Sequence, residues 1–265
     1  MGGFNEKGAQ LKICVLGSGS SGNAIYIEAR QTKILVDAGL SARTLVERLR
    51  RISEKPENLQ AIVISHEHHD HIKGAGTLAH KYHLPIYMNQ ETLKASNGLL
   101  SQGEEIREFS TGKSFKIGDI LLEPFSLPHD AADPVGFALY SGNLKVGITL
   151  DFGYPTHLIR ERMKGADMVI LESNHDVSML MMGPYPWKLK QRIRSKMGHL
   201  SNDDSSLLLR DLLHDKLTHV VLAHLSQTNN HPEIALMTAK EVVENCQVDL
   251  SVASQDEVGK IIELS

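Results

Sequence analysis

The chain has 265 residues, of which 41% are hydrophobic, and its formal net charge is −4. This length and apolar fraction are enough to bury a core in one large domain or two small ones. The two cysteines, Cys14 and Cys246, are far apart in the sequence, which argues against a disulfide scaffold and against a thiolate zinc site. Because the chain is slightly acidic, any contact with nucleic acid must come from a local basic patch.

The N-terminal segment lacks the apolar stretch of a signal peptide, and no run of about 18 apolar residues is present that could span a membrane. We therefore expect a cytoplasmic protein with no membrane partner. Residues 1–10 are predicted to form a disordered lead, and residues 11–265 a single domain.

Apolar runs bounded by turn residues predict strands in both halves of the chain. The predicted strands are 11–16, 24–28, 33–37, 61–65, 85–88, three strands within 119–150, 167–172, 219–225 and 249–254. Helical spacing of apolar residues predicts helices at 41–52, at 77–83, in several segments between 154 and 213, and at 232–244. Two strand-rich halves that each close with helices predict a two-sheet core with helices outside.

Histidine is unusually frequent, with fourteen in the chain. Four of them crowd into the segment HEHHDH (66–71), which follows a short apolar strand and matches the pattern H-x-H-x-D-H. Neutral imidazoles and carboxylates are the ligands that suit zinc, manganese and iron. On a tight turn we expect His66 and His68 to bind one ion, and Asp70 and His71 to face a second. A His-rich polar loop without metal is the alternative.

Three later residues, His129, Asp151 and His224, each follow an apolar run. The end of a strand is a rigid position from which a side chain reaches into a cleft. Asp151 has two carboxylate oxygens and could bridge both ions. The sequence therefore predicts a centre for two divalent metal ions with seven ligands, namely His66, His68, Asp70, His71, His129, Asp151 and His224.

The order of these ligands resembles the signature of the metallo-β-lactamase superfamily, and Asp37, after the strand KILVD, resembles its early structural aspartate. Asp151 stands where many β-lactamases carry cysteine, which argues against hydrolysis of antibiotics. Three later segments are more similar to the YycJ/WalJ-type proteins, a bacterial group related to ribonuclease Z: LESNHD (171–176), GHLSN (198–202) and AHLSQTNNHP (223–232).

This resemblance implies an α/β (α+β) fold of the αββα sandwich type, in which two mixed β-sheets pack together and helices cover both outer faces. The metals would lie at one edge of the sheets. The resemblance also implies a two-metal phosphodiester hydrolase, most specifically an exonuclease that degrades DNA from 5′ ends.

The resemblance further implies that His199 donates a proton to the leaving oxygen and that Glu172 orients it, as in the Glu/His pair of ribonuclease Z. Asp70 is the third candidate catalytic residue. Glu172 could instead be a solvated residue at the end of a strand, and His199 a loop residue that caps the next helix. His175 either contacts the substrate or only forms a hydrogen bond within its loop.

A basic segment lies directly before His199. Leu189, Ile193 and Met197 recur at helical spacing and predict a helix with a basic outer surface. Its cations are Lys188, Lys190, Arg192, Arg194 and Lys196. We expect three of them to contact phosphates, namely Lys190, Arg192 and Arg194, although a solvated helix face has the same pattern. Trp187 and Tyr185 either stack on a base or join the core.

The segment GSGSSG (17–22) matches the dinucleotide-binding pattern G-x-G-x-x-G. That interpretation requires a helix after the glycines, whereas the following NAIYIEA alternates like a strand, so NAD is not expected. A hairpin at the mouth of the site is favoured, in which Ser18, Ser20 and backbone N–H groups contact a phosphate.

These observations favour an exonuclease on DNA that uses two Mn²⁺ or Zn²⁺ ions, with iron as a further choice. A small-molecule phosphodiesterase or a glyoxalase-type thiolester hydrolase is the alternative. A non-catalytic metal-binding module is disfavoured, since a structural site needs neither seven ligands nor an open position. The basic segment favours the exonuclease over the small-molecule hydrolase, because a small substrate does not need an extended basic surface.

Overall fold

A computed structural model describes residues 10–96, 98–100 and 103–265. Residues 1–9 of the predicted disordered lead lie outside this description. Within the described ranges, two seven-stranded sheets form the centre of the molecule. The helices cover the outer faces of these sheets, so the αββα sandwich and the two mixed sheets expected from the sequence are confirmed.

The first sheet collects strands from both ends of the chain. Its strands are β1 (Leu11–Gly17), β2 (Ala24–Ala29), β3 (Thr32–Val36), β4 (Ala61–Val63), β5 (Ile86–Asn89), β6 (Ile106–Phe109) and β14 (Ile262–Leu264). The second sheet consists of β7 (Phe115–Ile117), β8 (Ile120–Ser126), β9 (Val135–Ser141), β10 (Leu144–Thr149), β11 (Met168–Glu172), β12 (His219–Ala223) and β13 (Asp249–Val252). The spatial order is β14-β1-β2-β3-β4-β5-β6 in the first sheet and β13-β12-β11-β10-β9-β8-β7 in the second.

The helices are short. They are α1 (Ala42–Arg51), α2 (His69–Ile72), α3 (Ala75–Tyr82), α4 (Gln90–Ala95), α5 (His157–Met163), α6 (Val177–Met182), α7 (Trp187–Ile193), α8 (Asn202–Leu212) and α9 (Pro232–Val243). Among the described residues, no helix has both the length and the apolar character needed to cross a bilayer.

Three hydrophobic clusters account for the layers. One lies between the sheets, and the other two lie between each sheet and its helices. In β1, Ile13 and Val15 point into the cluster between the sheets, whereas Cys14 and Leu16 point towards the helices of the first sheet. Successive side chains of a strand face opposite sides, so a strand covered on both faces reads as a continuous apolar run.

The first and the last strands of the described residues lie in the same sheet. β14 pairs antiparallel with β1, so that Leu11 lies opposite Leu264. The sequence did not predict β14, nor the short strands β6 and β7, because each offers only three or four residues of pattern. The predicted division into two half-chains is therefore incomplete, since the last strand crosses back to the first sheet.

Glu54, which follows α1, is a carboxylate with only 7% of its surface exposed. Tyr26 donates a hydrogen bond to its Oε2 atom (2.9 Å), and Lys33 pairs with the same oxygen. Asn58 (2.6 Å) and the backbone N–H of Lys55 (2.8 Å) donate to Oε1. Burial alone would raise the pKa of Glu54, but the hydrogen bonds, chiefly those from Lys33 and Asn58, outweigh it and lower the pKa to about 2.

The Glu54 carboxylate should therefore stabilise the fold at neutral pH and lose this effect in acid. Because its folded pKa is lowered from 4.5, the stabilisation is present above about pH 4.5 and is lost as the pH falls towards 2. Glu54→Gln should lower the free energy of unfolding by about 1–3 kcal/mol at pH 7, as measured by denaturant titration, and by less at pH 3. The exposed neighbour Glu57 is the control, and Glu57→Gln should change little. An equal loss at both pH values would contradict this account.

Candidate metal centre

The site lies where parallel strands of both sheets end. β3 pairs in parallel with β4 in the first sheet, and β10, β11 and β12 are parallel neighbours in the second. Residues that follow the carboxyl ends of adjacent parallel strands meet at one edge. Four side chains occupy such positions: Asp37 after β3, Asp151 after β10, Glu172 at the end of β11 and His224 after β12. The segment 66–71 follows β4 and approaches the same edge.

Three groups of metal-ligating atoms form there, and the third, which consists of Asp151, Glu172, His199 and His224, shares two residues with the second. In each group, one ligand atom per residue lies within 4.8 Å of the others. The first group is His66, His68 and His129, and the second is Asp70, His71, Asp151 and His224. The structure brings the seven predicted ligands together at one edge, with His66 and His68 in one group and Asp70 and His71 in another.

Asp151, a member of the second group, also faces the first group. Its Oδ2 atom is 3.5 Å from Nε2 of His66 in the first group and 2.5 Å from Nε2 of His71 in the second. The side chain is only 2% exposed, so its charge is shielded from water. A carboxylate in this position is able to contact ions on both sides.

Each histidine of the first group uses one ring nitrogen to fix its orientation. These contacts are His66 Nδ1 to Ser65 Oγ (3.0 Å), His68 Nε2 to the Asp130 carbonyl (3.2 Å) and His129 Nδ1 to the Gly198 carbonyl (3.0 Å). The opposite nitrogens of His68 and His129 face each other at 3.3 Å, and Nε2 of His66 is buried without a hydrogen-bond partner. Oxygen partners of this kind hold histidine ligands in metal sites.

Asp37 performs the same task for His71. Its Oδ2 atom lies 2.7 Å from His71 Nδ1, so Nε2 is the nitrogen that faces the second group. Asp37 also accepts hydrogen bonds from the backbone N–H (2.8 Å) and hydroxyl (2.9 Å) of Ser65. The sequence assigned Asp37 a structural role. These contacts show how it would connect β3 to residues 66–71, the ligand segment.

Three residues of the site have left-handed backbone conformations, with φ of 61° at Asp37, 56° at Asp151 and 56° at His224. Asp37 and His224 stand directly after a strand and Asp151 stands two residues after one, where this conformation turns the chain sharply. Left-handed residues other than glycine are uncommon, although Asp and His tolerate the conformation better than most. Such strain costs about 1–3 kcal/mol per residue and clusters at functional sites.

The electrostatics of the cluster favour bound cations. Burial and the positive charge of His71 hold the pKa of His66 well below its usual range, which keeps its imidazole neutral. Burial would also lower the pKa of His71 and His224, but neighbouring carboxylates, with Asp37 foremost at His71 and Asp151 at His224, raise both pKa values well above the usual range. Metal ions would replace these protons, because ligands bind metal in their deprotonated form.

The donor set fits divalent metal ions. Nε2 of His66 and Nε2 of His224 are buried polar atoms without a hydrogen-bond partner. Buried polar atoms without partners are rare and call for an explanation, such as an ion. Imidazole and carboxylate ligands suit zinc, manganese and iron.

Beside the second group lies a buried pair of Glu172 and His199. Glu172 is fully buried, and its Oε1 atom lies 2.7 Å from Nδ1 of His199 and 3.0 Å from Nδ1 of His224. Its Oε2 atom accepts a hydrogen bond from the N–H of Phe152 (2.8 Å). Glu172 is therefore not a solvated residue, and α8 is capped by Ser201 rather than by His199. Despite burial, Glu172 and Asp151 raise the pKa of His199 to about 9.

Ser18 does not have the role expected from the sequence. It is 2% exposed, and its hydroxyl donates to Asn23 (2.9 Å) and accepts from the N–H of His224 (2.8 Å). These contacts correct its assignment as a substrate-binding residue, because both ends of the hydroxyl are used within the protein. Ser20 is exposed at the tip of the glycine segment. A strand, β2, follows this segment, as predicted.

His175 is 2% exposed, and its Nδ1 atom has no hydrogen-bond partner. Burial lowers its pKa to about 4, so the ring is neutral. Its backbone carbonyl accepts a hydrogen bond from the N–H of Asn202 (2.9 Å), which joins the segments after β11 and before α8. The hydrogen bond that holds this loop is therefore made by the backbone of His175 and not by its imidazole.

The basic segment differs from its prediction in two ways. The helix ends at Ile193 instead of continuing towards His199. In addition, Lys190 is buried and donates to the carbonyls of Met181 and Gly183, both at 2.7 Å. The prediction that Lys190 contacts a phosphate is therefore corrected, because its ammonium group is used inside the protein. Arg192 remains exposed and forms an ion pair with Asp130 (2.6 Å).

Asn23 is a site residue that the sequence did not indicate. It is fully buried, its backbone N–H donates to the Asp70 carbonyl (2.7 Å), and its side-chain amide contacts Asp70 Oδ2 (3.3 Å) and His71 Nε2 (3.0 Å). It ties the glycine segment to the ligand segment. Its only sequence signal was a polar residue at the start of an apolar run.

A two-sheet sandwich with His/Asp groups at the carboxyl ends of its strands defines a metal-binding protein of the metallo-β-lactamase fold. The model of a family described as the Beta-lactamase superfamily domain matches residues 32–225. This chain belongs to the β-lactamase superfamily. YhfI of Bacillus subtilis, a metallo-β-lactamase fold protein of known structure, has a similar fold, with a TM-score of 0.75 and 20% sequence identity. The superposition covers 96% of this chain and 100% of YhfI.

Two curated relatives are more similar in sequence. The exodeoxyribonuclease YycJ of Bacillus anthracis is 41% identical over 236 residues, which cover 88% of this chain and 89% of that protein. The exodeoxyribonuclease WalJ of Streptococcus pneumoniae is 40% identical over 246 residues, or 91% of each chain. The resemblance to the YycJ/WalJ group seen in the sequence is confirmed.

Asp37→Asn should weaken metal binding without removing a ligand. Asparagine tolerates the left-handed backbone but cannot supply the charge that orients His71. Loss of such a supporting contact typically lowers metal affinity about 10–100-fold, which a competition titration with a chelating dye will measure. Asp215→Asn, at an exposed aspartate outside the site, is the control. Unchanged affinity in Asp37→Asn would show that His71 needs no support from Asp37.

Proposed function

We propose that this protein is a two-metal exonuclease that hydrolyses phosphodiester bonds of DNA, starting at 5′ ends. The observation that carries the proposal is the pair of ligand groups that Asp151 contacts, with His199 beside them. The exodeoxyribonuclease names of relatives at 40–41% identity support the same activity. We infer Mn²⁺ or Zn²⁺ as the ions from the mixed imidazole and carboxylate ligands.

Two such ions supply a water-derived nucleophile near neutral pH and offset charge on the phosphoryl oxygens. The protein's own contribution is to hold seven ligands in place and to keep Asp151 and Glu172 ionised in a buried setting. The pKa of Glu172 is lowered in spite of its burial, chiefly by the nearby positive charge of His199.

His199 is the proposed proton donor. Its Nδ1 atom faces Glu172 at 2.7 Å, which leaves Nε2 for the substrate. The raised pKa, about 9, keeps the imidazole protonated at neutral pH. The proton would pass from Nε2 to the departing sugar oxygen as the bond between phosphorus and that oxygen breaks. The side chain is 21% exposed, so a substrate could reach it.

The route of the DNA strand is proposed to pass over α7. Residues 177–202 contain five cations and no acidic residue. Arg192 and Arg194 are exposed, and Arg192 is anchored through Nε by Asp130, the residue after His129. Exposed guanidinium groups beside a metal centre suit phosphate contacts.

The direct test is to incubate the metal-loaded protein with end-labelled single- and double-stranded DNA and RNA and to resolve the products. Release of mononucleotides from 5′ ends of DNA is expected. If only small phosphodiesters or thiolesters are cleaved, the protein is instead a small-molecule hydrolase.

His199→Ala should slow DNA cleavage about 10²–10⁴-fold, the usual contribution of a general acid, while metal content stays at the wild-type level. A nitrophenyl phosphodiester has a good leaving group that needs no proton, so its hydrolysis should fall much less. Glu172→Gln should show a milder form of the same defect. Loss of metal, or equal slowing of both substrates, would place His199 among the ligands or in the scaffold.

Replacing both Arg192 and Arg194 with alanine should weaken DNA binding and reduce its salt dependence. Each lost phosphate contact lowers the slope of log affinity against log salt by about 0.7 for a single strand. Affinities measured by fluorescence anisotropy at several salt concentrations give this slope. Lys240→Ala, at an exposed cation of α9, should leave it unchanged. An unchanged slope in the double variant would remove α7 from the DNA path.

A further inference from the structure

The one tryptophan of the chain, Trp187, opens α7 and is 58% exposed. The sequence left open whether it belongs to the core, and the structure answers that it does not. Met182, the last residue of α6, is also exposed, at 83%. The segment from α6 to α7 thus keeps two large apolar side chains in solvent.

Trp187 forms one wall of a cavity of about 330 Å³, together with Met181, Lys190, Gln191 and Arg194. Lys190 fixes the base of this cavity, because its ammonium group binds the carbonyls of Met181 and Gly183 between α6 and α7. Arg194 lies on the other side, with Nη1 3.3 Å from the sulfur of Met181. The cavity therefore combines an exposed indole ring with a guanidinium group, and the hydrogen bonds of Lys190 hold the backbone around it.

The cavity is coupled to the metal centre through α7. The backbone N–H of His199 donates to the carbonyl of Ile193, the last residue of this helix, at 2.9 Å. Trp187 and Ile193 are six residues apart, a rise of roughly 9 Å along the helix axis. The indole therefore lies one short helix away from the segment that carries His199.

We propose that this cavity is a binding site for the base of an unpaired nucleotide, which stacks on Trp187 while Arg194 contacts it or its phosphate. This inference rests on the proposed nuclease function and extends it from the phosphate to the base. The absence of acidic residues from 177–202 favours a polyanion as the occupant. An aromatic platform among cations is the usual way of holding single-stranded nucleic acid without regard to sequence.

The site has a consequence for substrate choice. A base within a duplex is paired and stacked, and it must leave the helix at a cost before it can stack on a protein. The protein should therefore degrade single strands and frayed or overhanging ends faster than blunt duplexes, with little preference among the bases.

Because Trp187 is the only tryptophan, its fluorescence reports directly on stacking. The metal-loaded protein is titrated with oligothymidylate carrying phosphorothioate linkages, to slow cleavage, and with an abasic oligomer of equal length and charge. Quenching by the first and much weaker quenching by the second is expected. Equal quenching by both oligomers, or none by either, would overturn the base site.

Cleavage kinetics provide a second, independent readout. Trp187→Ala should lower kcat/KM for single-stranded DNA on the order of 10-fold and should abolish the preference for the base-containing strand over the abasic one. Trp187→Phe should restore most of both, which a folding defect at the start of α7 would not predict. Met237→Ala removes an equally exposed side chain, 67% accessible on α9, and should have no effect.

The two proposals fail in different ways. If the wild-type protein releases no nucleotides from any DNA, the nuclease function is wrong. If it does, but Trp187→Ala cleaves single strands as fast as the wild type, only the base site is wrong.

Discussion

The burial of negative charge at the end of the second sheet governs the rest of the structure. Asp151 and Glu172 are at most 2% exposed, and an isolated buried carboxylate is very costly unless it is compensated. Their neighbours are the imidazoles of His66, His71, His199 and His224. These rings balance the charge as cations or as metal ligands, so the stability of this edge and its chemistry depend on the same contacts.

The scaffold around these charges is arranged to prevent the side chains from turning away. Ser65, Asp130, Gly198 and Asp37 each supply an oxygen to one ligand histidine, and each comes from a different part of the chain. The segment that carries His199 is joined to the segment that carries His129, since the N–H of Asp130 donates to the carbonyl of Met197 (3.1 Å). The candidate ligands, His199 and the basic helix α7 therefore form one connected unit, which is what a reaction at a defined phosphate requires.

Much of the fold and of the site could be predicted from the sequence. Apolar periodicity located the long strands and α1, because side-chain alternation and helical spacing are local properties of the chain. The seven candidate ligands were also visible in the sequence, since His and Asp recur after apolar runs and HEHHDH is a dense local pattern. The local pattern was too weak to predict β6, β7 and β14. These strands have three or four residues each and owe their strand structure to their neighbours.

The order of residues along the chain specifies the type of each donor and its place after a strand. Which polar groups meet depends on how the chain packs in three dimensions. Asn23 became a partner of Asp70 and His71 because the turn after β1 packs on the ligand segment, while Ser18 and Lys190 were drawn into internal hydrogen bonds that a pattern of residues does not show. The reason is physical: a hydroxyl or ammonium group serves a substrate only if no nearer buried partner takes its hydrogen bonds, and distance in space is set by the packing of the two sheets.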